Sequence, residues 1–68
     1  MRTADDVRRD PKPGDKIRVE RFNWEVECIN QDKHFSVHIL IDNESHAVLS
    51  MRDWRQWARH AEVLHVAE

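Results

Sequence analysis

Apolar and polar residues alternate along much of the chain, and this alternation limits the fold more than any other feature of the sequence. It occurs in four stretches: residues 16–19, 24–28, 34–41 and 46–49. Successive side chains of a strand point to opposite faces, so each stretch predicts a half-buried β-strand. The segments between the stretches are short and mostly polar, which favours tight turns. The sequence therefore predicts an antiparallel meander.

The same alternation predicts which side chains face the core. In the second stretch the inward positions are Trp24, Val26 and Cys28. In the third stretch they are Phe35, Val37, Ile39 and Ile41. A cysteine in such a position behaves as a small, inert apolar residue.

Helical spacing replaces the alternation at Ser50. Ser50 is followed three positions later by Asp53, a looser form of the capping box that begins helices. One stripe of the predicted helix contains Trp54, Trp57, Ala58 and Ala61. This stripe is expected to pack on the sheet. Residues 62–66 alternate again and predict a short last strand.

Together these elements predict a mainly β fold, a small five-stranded antiparallel SH3-like barrel or meander with one short helix before the last strand. An open antiparallel sheet with the helix packed across one face fits the same pattern. A chain of 68 residues has room for one such domain. Because Pro11 and Pro13 interrupt regular structure, we expect the domain to cover residues 13–68 and residues 1–12 to form a polar N-terminal arm.

Charge and cysteine content restrict the cellular compartment and the classes of partner that the chain can have. The formal net charge of −2 is neither the basic surface typical of nucleic-acid binders nor the strong acidity of a DNA mimic. No apolar run reaches the roughly 20 residues that span a bilayer, and the N-terminus has no apolar stretch typical of a secretion signal. The single cysteine, Cys28, cannot form an internal disulfide. We therefore expect a cytoplasmic protein that has no membrane partner.

The histidines and the cysteine do not form a recognisable metal-binding or catalytic pattern. His34 and His38 share a predicted strand face, but the rise of a strand places them about 13 Å apart, too far to bind one zinc ion. A Cys28–His38 nucleophile pair is disfavoured, because the cysteine is predicted to face inward and the histidine outward. With one glycine, the chain has no Gly-rich phosphate loop. We expect no enzyme activity, no metal and no cofactor.

The polar face of the predicted helix is the best candidate for a contact surface. Arg52, Arg55 and Arg59 recur at helical spacing and form a ridge that can pair with phosphates or carboxylates. One of the three tryptophans, or Phe22 in the first hairpin, is a candidate interface anchor, although packing alone would also account for the three tryptophans. The predicted partner-binding residues are Arg52, Arg55, Gln56, Arg59, Phe22 and Trp24.

Two stretches of the chain carry a resemblance to known proteins. Residues 11–15 read PKPGD ahead of a strand, and residues 49–58 read LSMRDWRQWA and are followed by AEV at 61–63. In these stretches the chain is similar in outline to small proteins encoded by bacteriophages, prophages and proteobacterial genomes. The resemblance implies a non-enzymatic module of mobile elements, a class whose members often bind and block host machinery, as anti-CRISPR inhibitors do. It implies no catalytic residue.

These observations lead to one functional hypothesis and one alternative. The first is a small binding module that occludes a protein surface, with the arginine ridge and nearby aromatic residues as its contacts. The alternative is a nucleic-acid-binding small barrel, with the ridge on phosphates and Phe22 or Trp24 stacked on a base. An exposed strand edge allows either a monomer or a symmetric homodimer.

Overall fold

The computed structural model describes residues 1–31 and 35–68. This part of the chain forms two helices and five strands, in the order α1 (Ala4–Arg9), β1 (Lys16–Val19), β2 (Phe22–Asn30), β3 (Ser36–Ile41), β4 (Ser45–Ser50), α2 (Met51–Ala58) and β5 (Glu62–His65). The strands form a single sheet of order β4-β3-β2-β1-β5, in which all neighbours are antiparallel. The predicted mainly β fold, with five antiparallel strands and a helix before the last one, is confirmed.

Strands β1 to β4 follow one another as a meander, and β5 returns to pair with β1. Helix α2 connects β4 to β5 and contacts β4, β3 and β1, so it crosses one face of the sheet. Strands β4 and β5 form the two ends of the strand order. Among the described residues, no ladder joins these two strands.

Polar turns connect the strands. Glu20 and Arg21 link β1 to β2, and Glu20 has a positive φ of 58°. Asp42 and Asn43 in the β3–β4 turn have φ values of 52° and 60°, a region that the short polar side chains of Asp and Asn tolerate. Part of the predicted turn after β2 and the predicted first residue of the third strand fall on positions 32–34, outside the described residues.

The core lies between the sheet and α2. Its strand members are Ile17, Val19, Val26, Val37 and Ile39, and its helical members include Trp54 and Ala58. The cap of α2 is the predicted one, because the side chain of Ser50 accepts a hydrogen bond of 3.0 Å from the Asp53 amide. The alternating apolar residues of the strands thus pack against the helical stripe.

The first residues of the chain pack against this core. Thr3 and Asp6 form a capping box that begins helix α1. Val7 of α1 is fully buried and belongs to the same core cluster as Trp54. The indole of Trp54 donates a hydrogen bond of 3.1 Å to the carbonyl oxygen of Val7. Although residues 1–12 were expected to form a polar arm, they contribute a buried side chain and a buried hydrogen bond.

The predicted burial of Cys28 is wrong, because β2 contains a bulge. Val26 pairs with Ile39, but the next pair is Cys28 with His38, so one residue of β2 has no counterpart in β3. The extra residue exchanges the inward and outward positions of β2 after the bulge. Cys28 is therefore exposed, and Ile29 packs against the core in its place.

Two predicted core aromatics are also exposed. Phe35 precedes β3, which begins at Ser36, and 55 % of its surface is accessible. Trp57 is 50 % exposed, whereas Trp54 and Ala58 on the same helix are fully buried. Because each helical residue advances about 100°, Trp57 lies at the border of the stripe that contains the other two. The buried stripe of α2 is thus narrower than predicted.

Candidate functional site

An open apolar groove lies where the β1–β2 hairpin meets the end of α2. It has a volume of about 270 Å³ and is lined by Val19, Glu20, Phe22, Trp24, Ile41 and Trp57. Strand pairing assembles its floor, because Val19 pairs with Phe22 and Trp24 pairs with Ile41. We call this feature the aromatic groove. Glu20 supplies its one charged side chain.

Three tryptophans hold the wall of the aromatic groove in place. Trp24 lies between the other two, with ring centroids 6.4 Å from Trp54 and 6.0 Å from Trp57. The ring planes of Trp24 and Trp57 meet at 61°, an edge-to-face arrangement that aromatic pairs favour. Trp54 is buried and hydrogen-bonded, so it anchors the set. Trp57 is thereby positioned by packing while half of its surface stays in water.

Phe22 also lines the aromatic groove and is 37 % exposed. The guanidinium carbon of Arg21 lies 5.6 Å from the centre of its ring, within cation–π range. The rim therefore carries a positive group over Phe22 and a negative group at Glu20. A ligand of the groove would meet apolar surface flanked by one charge of each sign.

A second surface lies between the two helices. Arg8 and Arg9 of α1, together with Arg55 and Arg59 near the end of α2, line an open cleft of about 480 Å³. We call these four residues the arginine cluster. The Arg55 side chain donates a hydrogen bond of 2.8 Å from Nε to the carbonyl oxygen of Arg9, and Arg8 donates one of 3.0 Å to the carbonyl of Ala61. These contacts hold part of the cluster in a fixed arrangement.

Carboxylates reduce the positive potential of the arginine cluster. Asp5 lies 3.4 Å from Arg8, and Asp6 lies 3.9 Å from Arg9. Asp10 lines the adjoining cleft. The four guanidinium groups thus face three carboxylates, which leaves a local excess of one positive charge. Exposed ion pairs of this kind are weak, so an incoming anion can compete with them.

The structure divides the predicted partner-binding residues between the two surfaces. Phe22 and Trp24 line the aromatic groove, whereas Arg55 and Arg59 belong to the arginine cluster. Residues two apart on a helix are separated by about 200°, so Arg55 and Trp57 occupy opposite flanks of α2. The other two predicted residues are exposed on α2 and are Arg52 and Gln56. The predicted arginine ridge on α2 and the two predicted aromatic contacts, Phe22 and Trp24, therefore do not form one continuous site.

Sequence reasoning missed three residues of these surfaces. Trp57 is predicted to pack on the sheet with Trp54, because their spacing is helical, and it is not one of the predicted partner-binding residues. Arg8 and Arg9 lie in the predicted polar N-terminal arm, which was not assigned to a contact surface. The capping box formed by Thr3 and Asp6 is the signal that would have predicted helix α1.

The outer face of the sheet brings together groups that the sequence had separated. The β2 bulge places Cys28 directly opposite His38, so both lie on the same face. The predicted placement of Cys28 and His38 on opposite faces of the sheet is therefore wrong. Nearby, Nδ1 of His46 lies 2.8 Å from a carboxylate oxygen of Glu27. In the part of the chain that the structure describes, no three His, Cys, Asp or Glu side chains are grouped so as to hold a metal ion.

No protein-family model matches the chain, and neither a curated protein nor a solved structure does. Within residues 1–31 and 35–68, no helix combines the length and the apolar composition that a membrane span requires.

Proposed function

We propose that this chain is a small binding module without enzyme activity, and that it docks onto a protein partner through the aromatic groove. The observation that supports this proposal is that two exposed aromatic side chains, Trp57 and Phe22, line one groove whose other lining residues are apolar except for Glu20. Aromatic residues are enriched at protein interfaces, and tryptophan is enriched among the few residues that carry most of the binding energy.

The chemistry of the aromatic groove defines the partner. A partner segment would insert one large aliphatic or aromatic side chain between Phe22 and Trp57. An acidic group next to that side chain would pair with Arg21, and a basic group would pair with Glu20. Such a segment matches both the apolar lining and the charges of the rim.

We propose that the module acts by occlusion. An interface of standard size buries about 800 Å² on each partner. This is about a sixth of the 4975 Å² surface of the chain, so a partner docked on the groove at standard size would also cover much of the surface around it. A bound domain of this kind prevents other molecules from reaching the covered surface. The phage or mobile-element origin implied by the sequence resemblance would suit this mode of action and stays a prediction.

The proposed setting is the cytoplasm. Cys28 is free and exposed, and it is the chain's single cysteine. An exposed free thiol is compatible with a reducing compartment.

Affinity capture with matched variants tests the proposed function. The full chain is immobilised, and proteins retained from a cell extract are identified at low and at high salt. We expect a protein that is retained at both salt concentrations and lost with the Trp57→Ala and Phe22→Ala double variant. The control carries Arg52→Glu and Arg59→Glu, which lie outside the aromatic groove, and should retain it. Retention that depends on the arginines and not on the aromatics would overturn the proposal.

A nucleic-acid-binding function is the second candidate, and helix α1 favours it. Arg8 and Arg9 join Arg55 and Arg59, so four guanidinium groups line one cleft, and after Asp5, Asp6 and Asp10 are counted a local excess of one positive charge is left for a phosphate. Binding to phosphates weakens steeply as the salt concentration rises. If this candidate is correct, random DNA or RNA is retained at low salt, released at high salt, and lost with Arg9→Glu and Arg59→Glu. The Trp57→Ala variant then binds as the unaltered chain does.

A further inference from the structure

Strand β4 lies at one end of the sheet and presents a regular, uncharged edge. It pairs with β3 at six successive positions, from Ser45 with Ile41 to Ser50 with Ser36, without a register shift. Its sequence, SHAVLS, contains no Lys, Arg, Asp, Glu or Pro. Natural edge strands usually carry a charge, a proline or a bulge that prevents pairing with another chain. Strand β4 has none of these devices.

The opposite end of the sheet is different. Strand β5 has four residues, and one of them is the charged Glu62. Its pairing with β1 contains a register shift between Lys16 and Ile17. The chain that follows β5 is attached to the domain, because the Ala67 amide donates a hydrogen bond of 2.7 Å to Asp15. The two ends of the sheet are thus unequal, and β4 is the one suited to pairing.

We propose that β4 pairs with β4 of a second copy of this chain, forming a symmetric dimer with one continuous sheet. The occupant is a second copy because β4 is complementary to itself. Its backbone offers alternating donors and acceptors along one edge, and an antiparallel copy offers the same series in reverse order. Since the strand carries no carboxylate, ammonium or guanidinium group, pairing brings no two like-charged groups of these kinds together along the contact.

The two faces of β4 restrict the register of the dimer. Residues directly opposite one another in an antiparallel pair point to the same face. A two-fold axis at Val48 places Val48 against its own copy and the half-buried Ala47 against Leu49 of the second copy. It also covers Val48, which is 59 % exposed in the single chain. An axis at Ala47 would instead place Leu49 opposite Ser45, so apolar matching favours the axis at Val48.

The proposed dimer leaves the aromatic groove available. The residues that line the groove belong to β1, β2, β3, α2 and the β1–β2 turn, and none of them lies in β4. Dimerisation and partner binding are therefore separate properties, and the failure of one does not affect the other.

Sedimentation of the full chain over a range of concentrations tests the dimer. We expect the mass to rise from 8.2 kDa towards twice that value as the concentration increases through the micromolar range. Val48→Lys places a charge on the edge and should keep the chain monomeric. Leu64→Lys is the matched control, because Leu64 is an exposed apolar residue on the other edge strand and should leave dimerisation unchanged. Circular dichroism confirms that both variants fold.

Cross-linking tests the register. In a Cys28→Ser background, Val48→Cys should form an intermolecular disulfide under mild oxidation, because side chains directly opposite across a ladder are close enough. His46→Cys should not, since it faces Ser50 of the second copy. The proposal is overturned if the chain stays at 8.2 kDa at every concentration, if Val48→Lys dimerises like the unaltered chain, or if His46→Cys cross-links and Val48→Cys does not.

Discussion

The guanidinium group of Arg2 donates two hydrogen bonds, each of 2.8 Å, to the fully buried carboxylate of Asp15. The same carboxylate accepts hydrogen bonds from the amides of Lys12 and Ala67. Arg2 also donates to the carbonyl oxygen of Ala67 at 2.7 Å. One ion pair thus joins residues near both ends of the described chain to the start of β1, and every oxygen of the buried carboxylate has a partner.

Breaking this ion pair should destabilise the domain. In the Arg2→Ala variant the carboxylate of Asp15 loses its opposite charge and two hydrogen bonds but keeps the amide donors of Lys12 and Ala67, so we expect a loss of about 1–3 kcal/mol. Urea unfolding measures the loss as a lower midpoint. Asp5→Asn is the control, because Asp5 forms an exposed ion pair with Arg8 and should change the midpoint little. Equal effects of the two variants would show that the Arg2–Asp15 pair is not a stabilising element.

The same pair predicts how stability depends on pH. Burial acts to raise the pKa of Asp15, but hydrogen bonds from Arg2, Ala67 and Lys12 outweigh it, so the pKa lies below its ordinary value. An unfolded Asp titrates near about 3.9. The stabilisation is therefore fully present above that pH and is lost as the pH falls through the lower folded-state pKa.

Unfolding free energies measured between neutral and strongly acidic pH should show this loss. The Asp15→Asn variant removes the titrating group, so its stability should be lower at neutral pH and should fall less steeply in acid. An acid profile of Asp15→Asn that parallels that of the unaltered chain would assign the pH dependence to other carboxylates.

The strands could be predicted from the sequence, but their register could not. Alternation identifies β1 to β4 because half-buried strands bury every second residue, and this needs no knowledge of the neighbouring strand. The bulge after Val26 depends on how β2 matches β3, which a single strand does not reveal. The prediction therefore placed Cys28 inside, although Ile29 supplies an apolar residue one position later. The burial of Val7 was missed because its helix has one strongly apolar residue and depends on Trp54 for its packing.

The candidate site was predictable only in part. Phe22 and Trp24 were recognised as aromatic residues near a hairpin, and both line the aromatic groove. Trp57 is not among the predicted partner-binding residues, because helical spacing does not show how much of the helix surface the sheet covers. The arginines of α2 were recognised from their spacing, but the approach of Arg8 and Arg9 depends on tertiary packing of α1. No pattern within α2 indicates that packing.

The two tryptophans of α2 should respond differently to the same substitution. Trp54→Phe removes the indole hydrogen bond and leaves the buried carbonyl of Val7 without its donor, which costs about 1–3 kcal/mol. Trp57→Phe changes a half-exposed side chain and should alter stability by about 0.5 kcal/mol or less. Thermal or urea unfolding compares them directly. A larger loss of stability for Trp57→Phe would mean that α2 turns Trp57, and not Trp54, towards the sheet.

The β2 bulge makes a chemical prediction about Cys28. Because the bulge turns this side chain outward, the thiol of the folded chain should react with iodoacetamide about as fast as in the urea-unfolded chain. The matched control is Val26→Cys in a Cys28→Ser background, since Val26 is 1 % exposed and precedes the bulge. Its thiol should be protected until the domain unfolds. If β2 instead alternated without interruption, Cys28 would be buried beside Val26, and both thiols would be protected in the folded state. Mass spectrometry of the alkylated chains therefore distinguishes a bulged from a regular β2, and it does so in a measurement that requires no partner or ligand.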